Sequence, residues 1–582
     1  MIKKVFRQML FTQIVSAMTV MICMLIDSIM IGRFLGVNAM AAYGLATPLL
    51  LVFAAFGTML SAGIQVMCGK TLGSGDTEAT NATFSVSVFL TALVAVVGLA
   101  AVLLFTGPLC SLLGAGQPGP ENPVFDLTQD YIRGFIIGAP AFLFAQIMVP
   151  YMQISGSQAR LVTAVIAMTL ADVALDILNV FVFHGGTFGM GLASSLSYYV
   201  AFIIGITYFL KKNCIFRFRL ALVKGKRCLE LLRYGIPTVV NQICLVLLVF
   251  SLNKILLRVG QNLAVAAYSV VSTVGNLCYC VSSGIGAVTL MLSSVFFIEE
   301  DKPALRTLLR TLTRWAVVLN LAVTAVALLT APVQVGLFLT DNLEARELAI
   351  LGVRLFSLSL LPSTINTALK NYYQGVNRLG MTIVISVMQS FVLPVLSAII
   401  LSSFLSTTGV WLCWLCGELL CLTAASIIVW RKTGRIGISA SAYDFLPENF
   451  GAGECIELPF ASVEEAVEAS RKASDFCAAH GETARECMMI GLCIEEMAVN
   501  IVEHGFVKSK KAHQGEVRLL YKDNKRLIRL RDNCTSFDPL AYLELHKTDD
   551  PTAHIGIRMV MAMVKEANYV NTLGLNNLTL VL

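Results

Sequence analysis

Charge is scarce in this chain. Only 14% of its 582 residues are Asp, Glu, Lys or Arg, 56% are hydrophobic, and the mean hydropathy is +0.75. So little charge excludes an ordinary soluble protein. Apolar runs of about 20 residues are long enough to cross a bilayer as helices, so the chain reads as a polytopic membrane protein. A secretory cleavage site is also missing. Lys3, Lys4 and Arg7 precede an apolar run, but that run continues past Met30 with no small-residue site at the right distance, which predicts a retained first helix. The 16 cysteines make no disulfide framework. Cys23, Cys244 and Cys421 sit inside apolar segments, and so do Cys413 and Cys416, a C-x-x-C pair that reads as small apolar side chains before zinc or redox groups. No G-x-x-x-x-G-K-[ST] loop occurs, which argues against a primary ABC-type pump. The net charge of +6 is too mild for a nucleic-acid surface.

Twelve apolar helices are expected, roughly at 10–34, 40–70, 82–107, 131–154, 160–184, 188–210, 230–258, 262–298, 312–336, 350–374, 381–405 and 408–431. Basic residues set their orientation. Lys3, Lys4 and Arg7 precede the first helix. Lys211, Lys212, Arg217, Arg219, Lys224, Lys226 and Arg227 follow the sixth, Lys302, Arg306, Arg310 and Arg314 the eighth, and Arg431, Lys432 and Arg435 the last. The alternate loops, around Glu121–Asp130 and Asp341–Glu347, lean acidic. The positive-inside rule then puts both termini in the cytoplasm of a multi-pass plasma-membrane protein. The halves repeat weakly. "GVNAMAAYG" (36–44) matches "GQNLAVAAYS" (260–269), "GSGDTEAT" (73–80) falls where "IEEDKPAL" (298–305) does, and "PYMQISGSQ" (150–158) matches "NYYQGVNRL" (371–379). Two lobes of six helices, about 1–210 and 228–432, form a parallel repeat with a cavity between them, an architecture suited to a rocking carrier.

Composition changes after the last helix. Residues 433–453 read as a polar linker and 454–582 as one small domain carrying both charge signs. "SVEEAVEASRKASDFCAAHG" predicts an amphipathic helix capped by Ser462, and "ARECMMIGLCIEEMAVNIVEHG" a second helix. "GEVRLLYKDNKRLIRLRDN" predicts a hairpin turning at Asp523-Asn524, "IGIRMVMAMVKEA" a third helix, and "YVNTLGLNNLTLVL" a closing hairpin. Helices with antiparallel strands predict a two-layer α/β sandwich.

Acids inside membrane helices are functional candidates, because burying one costs about 3 kcal/mol or more. Asp27 lies deep in the first helix. Asp172, Asp176 and Asn179 fall on one stripe of the fifth. Two carboxylates one turn apart cannot both stay charged in a low dielectric. Either one is protonated or a cation bridges them, which suits H+ or Na+ coupling. The plainer reading, hydrogen bonding between helices, weighs equally for Asp172, and Glu418 is a lone acid with a structural or cavity-lining role. The stretch "DSIMIGRFLGVNAMAAYGLATP" (27–48), with "DVALDILN" (172–179) and "GMGLASSLS" (189–197), resembles the MATE multidrug and toxic compound extrusion transporters over about 1–432. The resemblance implies outward transport of amphipathic, often cationic, compounds in exchange for H+ or Na+. It matches Asp27 and Asp176 to the family's first-lobe acids, with Asp172 where asparagine is frequent. Asn253 and Lys254 stand in the seventh helix in place of a second-lobe Asp. Lipid or polysaccharide flippases share the superfamily and remain the alternative.

In "CIEEMAVNIVEHGF" (493–506), Glu496, Asn500 and His504 recur every four residues on one helix face, with apolar neighbours. That stripe is either a solvated helix face closed by Gly505 as C-cap or one wall of a pocket. In a pocket, Glu activates a hydroxyl and Asn ligates Mg2+ held by phosphates. Asp532 ends a strand, and Gly556 opens a helix whose N-terminus suits phosphate. The order resembles the GHKL ATPase fold of the serine kinases that act on anti-sigma-antagonist proteins, over about 454–582. The resemblance implies Mg-ATP as cofactor, Glu496 as general base, Asn500 as Mg2+ ligand and Asp532 as the adenine-reading acid. It also implies a partner like an anti-sigma antagonist. Two departures stand out: Cys534 replaces the glycine of Asp-x-Gly, and the glycine lid is reduced to Gly556 with His554 before it. Two function classes follow: a secondary carrier with a nucleotide-sensing tail, and a membrane-anchored serine kinase whose membrane part senses a ligand.

Overall fold

The computed structural model describes residues 2–73, 76–119, 122–210, 214–338, 343–434, 443, 445–447, 450, 451, 453–506, 513–522, 525–545, 555–572 and 574–582. The expected turn at Asp523-Asn524, His554, Lys211, Lys212, Glu121, Asp341, Arg435 and much of the linker lie outside the described residues.

The apolar part is helical throughout. In order come α1 (Ile2–Met30), α2 (Val37–Gly73), α3 (Thr77–Leu104), α4 (Thr106–Cys110), α5 (Pro123–Ile136), α6 (Ala139–Ile154), α7 (Gln158–Leu178) and α8 (Gly186–Phe209). Then follow α9 (Gly225–Ile298), α10 (Lys302–Gly336), α11 (Leu343–Ser357), α12 (Leu360–Gly375), α13 (Leu379–Val387) and α14 (Leu393–Thr433). Among the described residues nine helices are long and apolar enough to cross a membrane, or eleven when the bent pairs α5–α6 and α11–α12, each turning by 48°, count as one span apiece. The sequence locates these segments well because a spanning helix needs a continuous apolar run. It also locates their breaks. The expected end near 258 falls beside Gly260 and Gln261, where α9 turns at Gln261 with φ 52°. The expected gap at 405–408 holds Ser406, also at φ 52°, within the 55-residue stretch Leu379–Thr433. Apolar side chains pack into separate cores. One lies within residues 31–190, another within 248–414, and a third joins helix ends from both halves to Phe450, Val570 and Leu575 of the C-terminal region.

The C-terminal domain is an antiparallel sheet under helices. Its elements are β1 (Glu454–Phe460), α15 (Val463–Ala479), α16 (Ala484–Asn500), β2 (Gly515–Lys522), β3 (Lys525–Asp532), α17 (Pro539–Leu545), α18 (Ile555–Met563), β4 (Glu566–Thr572) and β5 (Leu575–Val581). The sheet order is β1-β2-β3-β5-β4, every neighbouring pair antiparallel. Ser462 caps α15 as expected, its hydroxyl accepting from Glu465 N–H at 3.2 Å, and Thr483 with Glu486 forms a capping box on α16. Strand β1 and helix α17 were not expected; "ECIELPF" alternates too weakly in burial to mark a strand. The third helix stops at Met563, because Lys565 N–H turns to Val581 O at 2.8 Å as the chain enters β4. Val517, Leu519, Ile528, Leu530 and Leu580 point to the helical layer and are buried.

The linker is not a free tether where it is described. Phe450 stacks on Phe297 with ring centroids 5.1 Å apart, Arg378 lies over the Phe445 ring at 4.5 Å, and Tyr373 donates to Tyr443 O at 3.1 Å.

Candidate functional site

Three acids gather inside the apolar helices. Helix α1 supplies Asp27, and the next-but-five helix α7, which packs on it, supplies Asp172 and Asp176 one turn apart. They are 8%, 3% and 0% exposed, and Asp27 lies in the field of both others. One oxygen each of Asp27 and Asp172 and both oxygens of Asp176 find no hydrogen-bond partner in the protein. An orphaned buried carboxylate is costly, so this group calls for protons or a cation from outside the chain. Asn179 does not join it. A widened turn begins there (Asn179–Phe183), and the Asn179 amide accepts from Gly185 N–H and donates to Gly186 O, each at 3.1 Å. Sequence periodicity places Asn179 on the helix but does not show the bonds its amide makes. It also missed Tyr43, Tyr131 and Tyr198, whose rings lie in the field of the acids. An isolated tyrosine in an apolar run carries no pattern that marks it.

The C-terminal domain holds a pocket of about 580 Å³. Glu496, Asn500, His504, Asp532 and Gly556 all line it, with Gly505, Cys534, Tyr569 and Asn576. The shared face is kept, though not by a regular helix: α16 ends at Asn500 and passes into a widened turn, Ile501–Gly505, that carries His504. Gly556 passes close to the Glu496 carboxylate. A Cβ there would meet Glu496 Oε2, the far end of a flexible side chain, which would have to shift. Asp532 closes β3 and is 4% exposed. One of its oxygens accepts from Cys534 N–H and from the Asn576 amide, each at 2.8 Å. Asn576 in turn accepts from Tyr569 OH at 2.7 Å and from Asn571 at 2.8 Å. Burial pushes the Asp532 carboxyl up, against the bonds from Cys534 and Asn576. The Cys534 sulfur would lie 3.0 Å from a Cβ at Gly505, so it fills the space where the glycine-containing loop passes. Burial, then the neighbouring Asp532, pushes its thiol up, which keeps it protonated and a poor nucleophile. Among the described residues no cluster of His, Cys, Asp or Glu could hold a metal by itself.

The opposite face of the sheet is covered by the apolar helices. Side chains alternate along a strand, so Asp532 faces the pocket while Arg529 and Arg531 face away. Arg531 Nη2 donates to Glu299 Oε2 at 2.5 Å, with Arg529 at 3.7 Å from the same oxygen. Arg518 of β2 stands 3.0 Å from Asp301. Glu299 and Asp301 follow the end of α9. Burial pushes the Glu299 carboxyl up, but Arg531 and Arg529 outweigh it and hold the group below the ordinary range. Arg531 also donates to Asn577 at 2.7 Å, the neighbour of pocket-lining Asn576. Arginines on alternate positions of "VRLLYKDNKRLIRLRD" were the available signal. The structure buries Arg518 and Arg531 of that face.

The sequence model of the MatE family matches residues 13–178 and 237–400. The multidrug export protein MepA of Staphylococcus aureus is 22% identical over 412 residues, covering 69% of this chain and 88% of that protein. Its Staphylococcus saprophyticus counterpart is 23% identical over 414 residues, covering 70% and 88%. Among solved structures, a MATE transporter in the straight conformation superposes with TM-score 0.69 at 20% identity, covering 76% of this chain and 97% of that one. An outward-facing multidrug resistance MATE transporter of the MOP superfamily gives TM-score 0.69 at 20% identity, covering 76% and 96%.

Proposed function

Because the chain belongs to the MatE family of membrane transporters, we propose that it is an H+- or Na+-coupled exporter of amphipathic or cationic compounds, regulated by a C-terminal domain that binds Mg-ATP. In this reading the apolar region is twelve helices in two lobes of six, Leu379–Thr433 counting as two spans divided at Ser406 and both termini cytoplasmic. The observation that carries the transport reading is the trio Asp27, Asp172 and Asp176 with its orphaned oxygens. Buried carboxyl oxygens without protein donors are stable when a cation or protons neutralise them, and binding of the coupling ion and its release on opposite sides then favours opposite conformations. Asp27→Asn removes one charge at constant volume. Ion-driven uptake of a fluorescent amphipathic cation into inverted vesicles should stop in that variant; unchanged transport sinks the coupling scheme.

The pocket chemistry supports the nucleotide reading. Asp532, fixed by Asn576, is an acceptor for an adenine amino group, and the start of α18 beside Glu496 offers backbone N–H groups to phosphate. Asn500 and Glu496 supply only one amide oxygen and one carboxylate, which fits Mg2+ that arrives with phosphates and keeps its waters. When bound, Mg2+ neutralises phosphate charge. Regulation would pass through β3, whose Asp532 faces the nucleotide and whose Arg531 grips Glu299. Calorimetry of the full chain with Mg-ATP tests this: absence of heat at millimolar nucleotide removes the nucleotide role. The second reading, a membrane-anchored serine kinase, rests on Glu496 facing the pocket as a base. Phosphate transfer to an anti-sigma-antagonist-like protein, lost in Glu496→Ala, would promote it.

A further inference from the structure

The outer face of the C-terminal sheet meets the apolar helices at two separate footings. One is ionic and lies on the second half of the apolar region, where Arg531, Arg529 and Arg518 meet Glu299 and Asp301 just past α9. The other is apolar and reaches the first half. Gly574, between β4 and β5, passes Gly156, between α6 and α7, so closely that a Cβ on it would stand 3.8 Å from Gly156 Cα. Val570 and Leu575, on either side of that turn, are buried in the cluster that also takes Tyr151 and Ile154 of α6. Neither belongs to the domain's own core. Strand alternation explains why: Asn576, Leu578 and Leu580 face the pocket and the helical layer, so Leu575 and Asn577 face the other way.

Little slack lies between the footings. Arg531 pairs with Asn577 across the ladder and donates to its side chain at 2.7 Å. From Asn577 back to Gly574 is about 10 Å of strand and turn. At the same end the two halves are shut against each other. Lys70 of α2 donates to Tyr234 OH of α9 at 2.6 Å, and Ser294 Oγ of α9 donates to Gln65 O of α2 at 3.0 Å. Gly63 and Gly235 leave no room for a Cβ, because Leu231 O and Met59 O, backbone atoms of the opposing helix, stand against them. Ser294 lies in the last turns of α9, directly before the ionic footing.

We propose that the C-terminal sheet is a strap across the two halves that holds this end of the carrier shut, and that export needs one footing to let go. This rests on the export reading and says how the C-terminal domain regulates it. Rocking that opens this end must part α2 from α9. A hydrogen-bonded sheet held at both footings does not lengthen, so the shut state is favoured for as long as both hold. The hairpin that stands on the first half also supplies Tyr569 and Asn576 to the pocket. A ligand bound there therefore touches the arm that crosses to the first half.

The test places donor and acceptor dyes on unnatural residues at Glu78 and Arg310, exposed positions in the early turns of α3 and α10, and reads their separation by single-molecule energy transfer in the purified full chain. Leu575→Ser loosens the apolar footing and Arg531→Gln the ionic one. Each should raise the ratio of long to short separations about tenfold. The double variant should gain no more than the larger single, because one strap is released once by either change. Leu575→Ser, outside the domain's own core, keeps the test sound where Arg531→Gln disturbs the sheet. Separations unmoved by Leu575→Ser, or single effects that multiply in the double variant, overturn the strap. Uptake of a fluorescent amphipathic cation into inverted vesicles is the separate arm. Separations that shift in chains that transport nothing leave the strap standing and remove the export reading. Transport in wild type and variants alike, with no shift in separation, does the reverse.

Discussion

Asp76 and Asp301 do the same local work in different surroundings. Each accepts from the N–H three residues on, Ala79 at 2.8 Å and Ala304 at 2.9 Å, and so opens α3 and α10 respectively. Asp76 is exposed. Asp301 is 5% exposed, with its other oxygen 3.0 Å from Arg518 Nη1, and Glu299 beside it is gripped by Arg531. The weak repeat "GSGDTEAT" and "IEEDKPAL" thus marks a shared cap, and the second copy also carries a docked domain. A helix N-terminus already favours a carboxylate through its free N–H groups and dipole. An acid held there needs fewer new partners when a sheet covers it. The same physics separates the docking acids from Asp27, Asp172 and Asp176. Glu299 and Asp301 are buried with arginines beside them, whereas Asp27, Asp172 and Asp176 enter no ion pair among the described residues.

The largest break in the comparison is Arg531→Ala. It leaves Glu299 buried with Arg529 alone, at 3.7 Å, and losing one partner of a buried pair costs about 3–5 kcal/mol. Hydrogen exchange across 296–302 and β3 in the full chain should rise steeply. Protection like that of the wild type would show that Phe450 on Phe297 and the apolar contacts of Val570 and Leu575 hold the domain without the ions. Asp301→Ala ranks next. It removes a cap, about 1 kcal/mol, and also leaves Arg518 to the more distant Glu457 at 3.8 Å. Its effect should exceed that of the matching change at Asp76. Equal effects would mean that the Arg518 contact contributes nothing.

Acid sharpens the contrast further. The Glu299 carboxyl sits below its ordinary value of 4.5 when docked. A depressed folded value gives stability that is full above the undocked value and is lost as pH falls through the docked one. Docking should therefore hold from neutral pH to the ordinary carboxylate range and weaken only below it. Hydrogen exchange or limited proteolysis along a pH series reads this directly. Loosening between pH 8 and 6, measured the same way, would point to a group other than Glu299.

Sequence and structure agree where one residue type in one period decides the outcome. Apolar runs located the membrane helices, and Gly260-Gln261 and the Ser406 region located their breaks, because burial of backbone in lipid leaves little choice. Glu496, Asn500, Asp532 and Gly556 were legible as one pocket because helix period and strand end both point inward. Asn179 keeps its place after Asp176 on the helix, but its amide turns to Gly185 and Gly186, a local bond that period does not show. The arginine face is a different case: alternation shows that Arg518, Arg529 and Arg531 share a side of the sheet, but only the fold shows what lies on that side.

The smallest effect is expected at Asp76. Asp76→Ala removes the acceptor for Ala79 N–H and leaves the first turn of α3 with one more free donor, a cost of about 1 kcal/mol. Thr80 already turns its hydroxyl back to Asp76 O at 2.8 Å, a bond to backbone that survives the change. The loss should stay local: faster exchange at Ala79 and its neighbours, with exchange in β3 and at 296–302 unaltered. Undocking of the C-terminal domain by Asp76→Ala would show that the first copy of the cap also bears on the interface, and the contrast between the two aspartates would then be one of degree.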